Sequence, residues 1–93
     1  MKRAAIEHIR QAIAAAREVA RSDLSSCDAA DIDELVQPVE RELDSSHPNV
    51  QTLGTYLNSL ARSLRTDPAA RAVCLQLDAA MREAGVPSSW ENI

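Results

Sequence analysis

The stretch whose reading decides the fold is Asn49 to Arg65, NVQTLGTYLNSLARSLR. Val50, Leu53, Tyr56, Leu57, Leu60, Ala61 and Leu64 recur at spacings of three and four, which puts them on one arc of a helical wheel. Thr52, Thr55, Asn58, Ser59 and Ser63 fall on the other side. Between Ser45 and Ala61 there is no Asp, Glu, Lys or Arg, although such residues make up 26% of the chain. The pattern predicts the central helix of a small bundle, with an ordinary apolar face and an unusual neutral one. Gly54 sits at the edge of the apolar arc. An interior helical glycine is unfavourable by about 1 kcal/mol relative to alanine, so a close packing contact is expected there, most simply with an alanine-rich first helix.

Upstream of this helix, Asp44 to Pro48 (DSSHP) is a break, and Pro48 with Asn49 supplies a turn and a cap. Before it, Ala29 to Leu43 places Ile32, Leu35, Val36, Val39 and Leu43 on one face. Pro38 lies inside that segment and removes one backbone hydrogen bond. The apolar phase continues across it, so a single helix kinked at Pro38 is expected, with the proline on the convex, solvent side. Asp28 is the expected N-cap, and Ser22 to Cys27 a polar connector. The first helix is expected from Lys2 to Arg21, with Ile6, Ile9, Ile13, Ala16 and Ala20 inward and Ala5, Ala12 and Val19 widening the stripe. Its alanine flank permits close approach by a neighbouring helix.

Downstream, Asp67-Pro68 pairs a capping residue with proline at the first helical position. The last helix then runs to about Ala84 and stops at Gly85, with Pro87 just beyond. Ala70, Val73, Leu77, Ala80, Met81 and Ala84 form its inner face. Residues 1–86 read as one domain, and 87–93 as a C-terminal tail in which Trp90 is expected to fold over the open end of the bundle. Four helices joined by short loops predict an all-α, antiparallel up-and-down four-helix bundle.

Composition agrees with that expectation. Ninety-three residues hold one modest core. With no Phe, one Trp and one Tyr, the core must be aliphatic, and Ala, Leu, Glu and Arg favour helix. A net charge of −4 and a pI near 5.0 speak against nucleic acid, whose phosphates demand clustered Lys and Arg. No apolar run approaches a bilayer span, and the Met-Lys-Arg start leads into no signal-peptide core. A cytoplasmic protein without membrane attachment is expected, with Cys27 in a loop and Cys74 on a partly buried helix face, both as free thiols.

Charge is sorted along the chain. Residues 1–22 carry five basic and two acidic groups, whereas residues 23–46 carry one basic and eight acidic. The simpler reading pairs the basic first helix with the acidic second one. The sharper reading makes Asp31, Asp33, Glu34, Glu40, Glu42 and Asp44 an acidic surface for a basic partner.

Chemistry-bearing patterns are sparse. His8 and His47 are isolated, and neither cysteine sits in a metal-binding pair. Asp23 to Glu34 (DLSSCDAADIDE) ends in glutamate like a calcium loop but lacks the glycine at its sixth position. Nothing in the spacing sets a base beside Cys27 for nucleophilic catalysis, and no glycine-rich phosphate loop occurs. Gln51, Asn58, Arg62 and Arg65 share a side of the third helix, but a DNA-reading role is opposed by the acidic helix before it. The expectation is a non-enzymatic protein with no metal or cofactor, which binds a protein partner or itself. Expected contact residues are Asp31, Glu34, Glu40 and Asp44 on the second helix and Thr55, Asn58 and Ser59 on the third. Leu75, pointing away from the inner face of the last helix, and Trp90 complete the set.

Residues 39–64 contain Glu40, Glu42 and Leu43, then Pro48, Asn49, Leu53, Leu57, Ser59 and Leu60. This arrangement resembles helical hairpins of uncharacterised bacterial proteins, some linked to abortive infection or phage defence. The resemblance implies a bacterial helical accessory module and no catalytic residue. An acidic immunity- or antitoxin-like inhibitor, covering a basic site on its target, is the alternative expectation.

Overall fold

In the computed structural model, which describes residues 2–65 and 67–87, four helices form a bundle, and no strand occurs among those residues. The helices are α1 (Arg3–Asp23), α2 (Ser26–Leu43), α3 (Val50–Leu64) and α4 (Arg71–Ala84), with a 3-10 turn at Pro68–Ala70 leading into α4. Each helix packs on its chain neighbours, and α1 closes the ring against α4. This ring of neighbours is the arrangement that short connections impose on an up-and-down bundle. No helix among the described residues is long and apolar enough to cross a membrane.

The core is aliphatic throughout. Ile9, Ile13, Ile32, Val36, Val39, Leu53, Leu57, Leu60, Leu64, Leu77 and Met81 are its largest fully buried side chains. Each contributes about 1.5–3 kcal/mol by leaving water. Ala5, Ala12, Ala16 and Ala20 are buried along α1, as the alanine flank predicts. No polar or charged side chain is buried among the described residues.

Helix ends follow local chemistry, with one correction. Asn49 caps α3, its Oδ1 accepting from the amides of Gln51 (2.9 Å) and Thr52 (3.1 Å). Glu42 reaches forward from the end of α2 to accept from the Asn49 amide at 2.6 Å, which fastens the turn. Asp67 Oδ1 accepts from the Ala69 amide at 3.0 Å, as expected of a capping aspartate before proline. The cap of α2 is Ser25 instead of Asp28: the Asp28 amide donates to Ser25 Oγ at 3.2 Å. The helix starts three residues earlier than expected, and Cys27 lies in its exposed first turn instead of a loop. Starting at Ser25 satisfies an orphan amide and leaves Asp28 in the first turn, where its charge complements the helix dipole.

α2 runs unbroken through Pro38, so the apolar phase prevails over the missing hydrogen bond. Pro38 is half-buried, more sheltered than a wholly solvent-facing proline.

α4 ends in a Schellman motif. Gly85 adopts φ 73°, its amide donates to the Arg82 carbonyl at 3.2 Å, and the Val86 amide donates to the Met81 carbonyl at 2.9 Å. Val86 is buried, so the chain turns back onto the bundle. This explains Gly54, whose neighbour is not α1. A Cβ at Gly54 would lie 3.3 Å from both Cδ and the carbonyl oxygen of Pro87, and 3.6 Å from Val86 Cγ1. The close approach exists, but the returning C-terminal segment makes it.

Candidate interaction surfaces

The α1–α2 seam joins the basic and acidic segments. Arg17 donates from Nε to Asp33 at 3.1 Å and from Nη1 to Glu40 at 3.2 Å. Arg10 donates to Asp44 at one end of the same seam. A groove of about 250 Å³ runs along it, lined by Arg10, Ile13, Ala14, Arg17, Glu18, Arg21 and Glu40. Glu40 and Asp44 are therefore engaged inside the molecule, which is the simpler of the two readings of the charge pattern. The paired charged side chains keep substantial solvent contact, so each pair contributes only about 0.2–1 kcal/mol.

Asp31 and Glu34 differ. Both are exposed on α2, and neither has an ion pair among the described residues. Asp31 borders a recess of about 170 Å³ with Leu24, Asp28, Ile32 and Ser63, at the α2–α3 seam.

The neutral side of α3 has a regular hydrogen-bond pattern. Thr55 Oγ1 donates to the Gln51 carbonyl at 3.0 Å, Ser59 Oγ to the Thr55 carbonyl at 3.0 Å, and Ser63 Oγ to the Ser59 carbonyl at 3.1 Å. Each hydroxyl thus bonds back to the carbonyl four residues earlier on its own helix. Asn58 does something else: its Nδ2 donates to the Pro87 carbonyl at 3.0 Å. Sequence reasoning placed Asn58 among these residues but missed Val86 and Pro87. The available signal was Gly54 four residues before Asn58, a gap and an amide on one helix face.

Leu75 on α4 is 64% exposed and is the one exposed large hydrophobic side chain among the described residues. Trp90 lies outside the described residues. On the α1–α4 seam the His8 ring Nδ1 and Glu83 Oε2 are 2.6 Å apart, both half-exposed, beside a recess of about 210 Å³ with Gln11, Gln76, Ala79 and Ala80. His47 is exposed in the α2–α3 turn. Burial pushes the Cys74 thiol above its ordinary range, with Arg65 pulling weakly the other way. Cys74 and Cys27 are both free thiols. No group of three or more His, Cys, Asp or Glu side chains that could hold a metal ion occurs among the described residues.

The predicted contact residues thus fall into separate places. Asp31 and Glu34 face out from α2, Glu40 and Asp44 lie on the α1–α2 seam, and Leu75 stands on α4. Thr55, Asn58 and Ser59 share α3. No family model matches the chain, and neither a curated protein nor a solved structure matches it.

Proposed function

We propose that this chain is a protein–protein interaction module with no catalytic activity of its own, which binds a partner or a second copy through the neutral side of α3. The carrying observation is the state of Thr55, Ser59 and Ser63, whose hydroxyl protons are already donated to α3 carbonyls. A polar surface resists burial in proportion to the hydrogen bonds with water that it must give up. Here the donors lose little, and no charged side chain stands among Thr52, Thr55, Asn58 and Ser59. Depletion of charge is the compositional mark of interface cores. The resemblance of residues 39–64 to helical hairpins of uncharacterised bacterial proteins, some linked to abortive infection or phage defence, supports a helical accessory role.

The test is sedimentation of the full chain, together with co-purification from its native cell, for wild type, Thr55→Arg and Ser59→Arg. Either variant buries a guanidinium at the proposed contact, so a self-associated species or a specific partner is lost while helicity is retained. Variants that keep the wild-type assembly state and the same partners would overturn the assignment to α3.

A second reading is favoured by Asp31 and Glu34, two exposed carboxylates of α2 that make no ion pair with α1. In that reading the chain is an acidic inhibitor that covers a basic site on its target. Binding then weakens steeply with salt, and Asp31→Arg with Glu34→Arg abolishes it. Reversing Glu40 or Asp44 is a poorer probe, because it also breaks the pairing with Arg17 or Arg10.

A further inference from the structure

The C-terminal contact on α3 has the features of an occupied peptide seat. Gly54 leaves out a side chain where the Pro87 ring and carbonyl pass at 3.3 Å from the position of a Cβ. One turn later, Asn58 supplies a side-chain donor to the Pro87 carbonyl at 3.0 Å. Val86 fills the apolar side and is 4% exposed. The three elements are a gap, a hook and a pocket, and each reads a different property. The gap admits a flat ring passing close to helix backbone, and the hook takes the carbonyl of the ring-bearing residue. The pocket takes the aliphatic side chain before it. Proline suits such a step because it has no amide proton to leave unpaired against an apolar surface and little backbone freedom to lose.

We infer that the Gly54–Asn58 step of α3 is a binding seat for an aliphatic–proline peptide segment, held in the free chain by Val86–Pro87 as a built-in competitor. The inference rests on the α3 reading above and names the partner's chemistry: a segment carrying Val, Ile or Leu followed by proline. A partner enters by displacing the resident pair. Because the resident is tethered, it competes at an effective concentration in the millimolar range, so the free chain is held closed. The Schellman bond from Val86 to Met81 couples the resident to the end of α4, so displacement also loosens that last turn.

The experiment titrates a blocked Gly-Val-Pro-Ser-Ser peptide into the isotope-labelled full chain, following the Gly54 amide and the Asn58 side-chain amide by NMR. Val86→Gly combined with Pro87→Gly removes both the side chain in the pocket and the ring in the gap, and weakens the resident without touching the seat. The peptide is expected to bind this variant about tenfold more tightly than wild type, in keeping with removal of a tethered competitor. Adding Gly54→Leu fills the gap and removes binding. Adding Asn58→Ala instead removes the side-chain amide, and it weakens binding about fivefold through the lost hydrogen bond. Equal affinity of the Val86→Gly, Pro87→Gly double variant and wild type, or indifference to Asn58→Ala, overturns the seat. That failure is distinct from failure of the interaction reading, which the Thr55→Arg and Ser59→Arg sedimentation decides on its own.

Discussion

Arg17 and Glu40 meet across the α1–α2 seam at 3.2 Å, and the same guanidinium holds Asp33 from its other edge at 3.1 Å. A single cation between two carboxylates ties one position of α1 to two positions along α2. Arg17 keeps 35% of its side-chain surface in water, which limits what the contact contributes. Arg17→Ala is expected to lower stability by roughly 0.5–1 kcal/mol, part of it from lost packing of the aliphatic stem. Urea denaturation checks this, and the difference from wild type shrinks at high salt.

Core and surface leucines separate cleanly. Leu57 is fully buried, and Leu57→Ala is expected to cost about 2–5 kcal/mol through lost burial and the cavity left behind. Leu75 is 64% exposed, and Leu75→Ser is expected to stay within about 0.5 kcal/mol of wild type. Thermal melts of the two variants, followed by far-ultraviolet circular dichroism, give the comparison. A large loss on Leu75→Ser would mean that this side chain is covered in solution.

Gly54 tests how firmly the C-terminal segment is seated. Gly54→Leu places a branched side chain where Pro87 passes, and is expected to destabilise the fold by about 1–3 kcal/mol despite better helix propensity. Amide exchange should rise at Val86 and through the last turn of α4, which depends on the Val86–Met81 bond. Exchange that stays unchanged there would show the contact to be dispensable.

Cys74 gives a pH dependence of known sign. Burial raises its thiol pKa in the folded chain, so the folded state keeps the proton over a range where the unfolded state has released it. The folded state then binds more protons, and stability falls as pH rises through the ordinary thiol range, near pH 9. Cys74→Ala removes that part of the alkaline slope. At neutral pH a thiol-alkylating reagent modifies exposed Cys27 first and Cys74 only as fast as the chain opens.

Much of the fold was legible because local rules and the apolar period agreed. Val50 to Leu64 emerged as a helix from its spacing and its Asn49 cap, and Asp67-Pro68 and Gly85 marked breaks that need no tertiary partner. The start of α2 was harder: Ser25 and Asp28 are both good caps, and pattern alone does not show which begins the helix. The pairing of α1 with α2 was legible as opposite charge, though not which carboxylates it would consume. The partner of Gly54 was hidden for a different reason. A helical wheel gives the face on which a gap lies, but not the element that fills it. Here the filler lies some thirty residues downstream, beyond the end of another helix.

The aliphatic core has a practical consequence. Among the described residues no aromatic ring is fully buried, and Tyr56 only borders the core. Among the described residues, loss of packing between the helices therefore reaches the near ultraviolet through Tyr56 alone. A loosened variant with intact helices would pass a far-ultraviolet screen as native. The methyl resonances of Ile9, Ile13, Ile32, Leu53 and Leu57 are the reporters that would expose it.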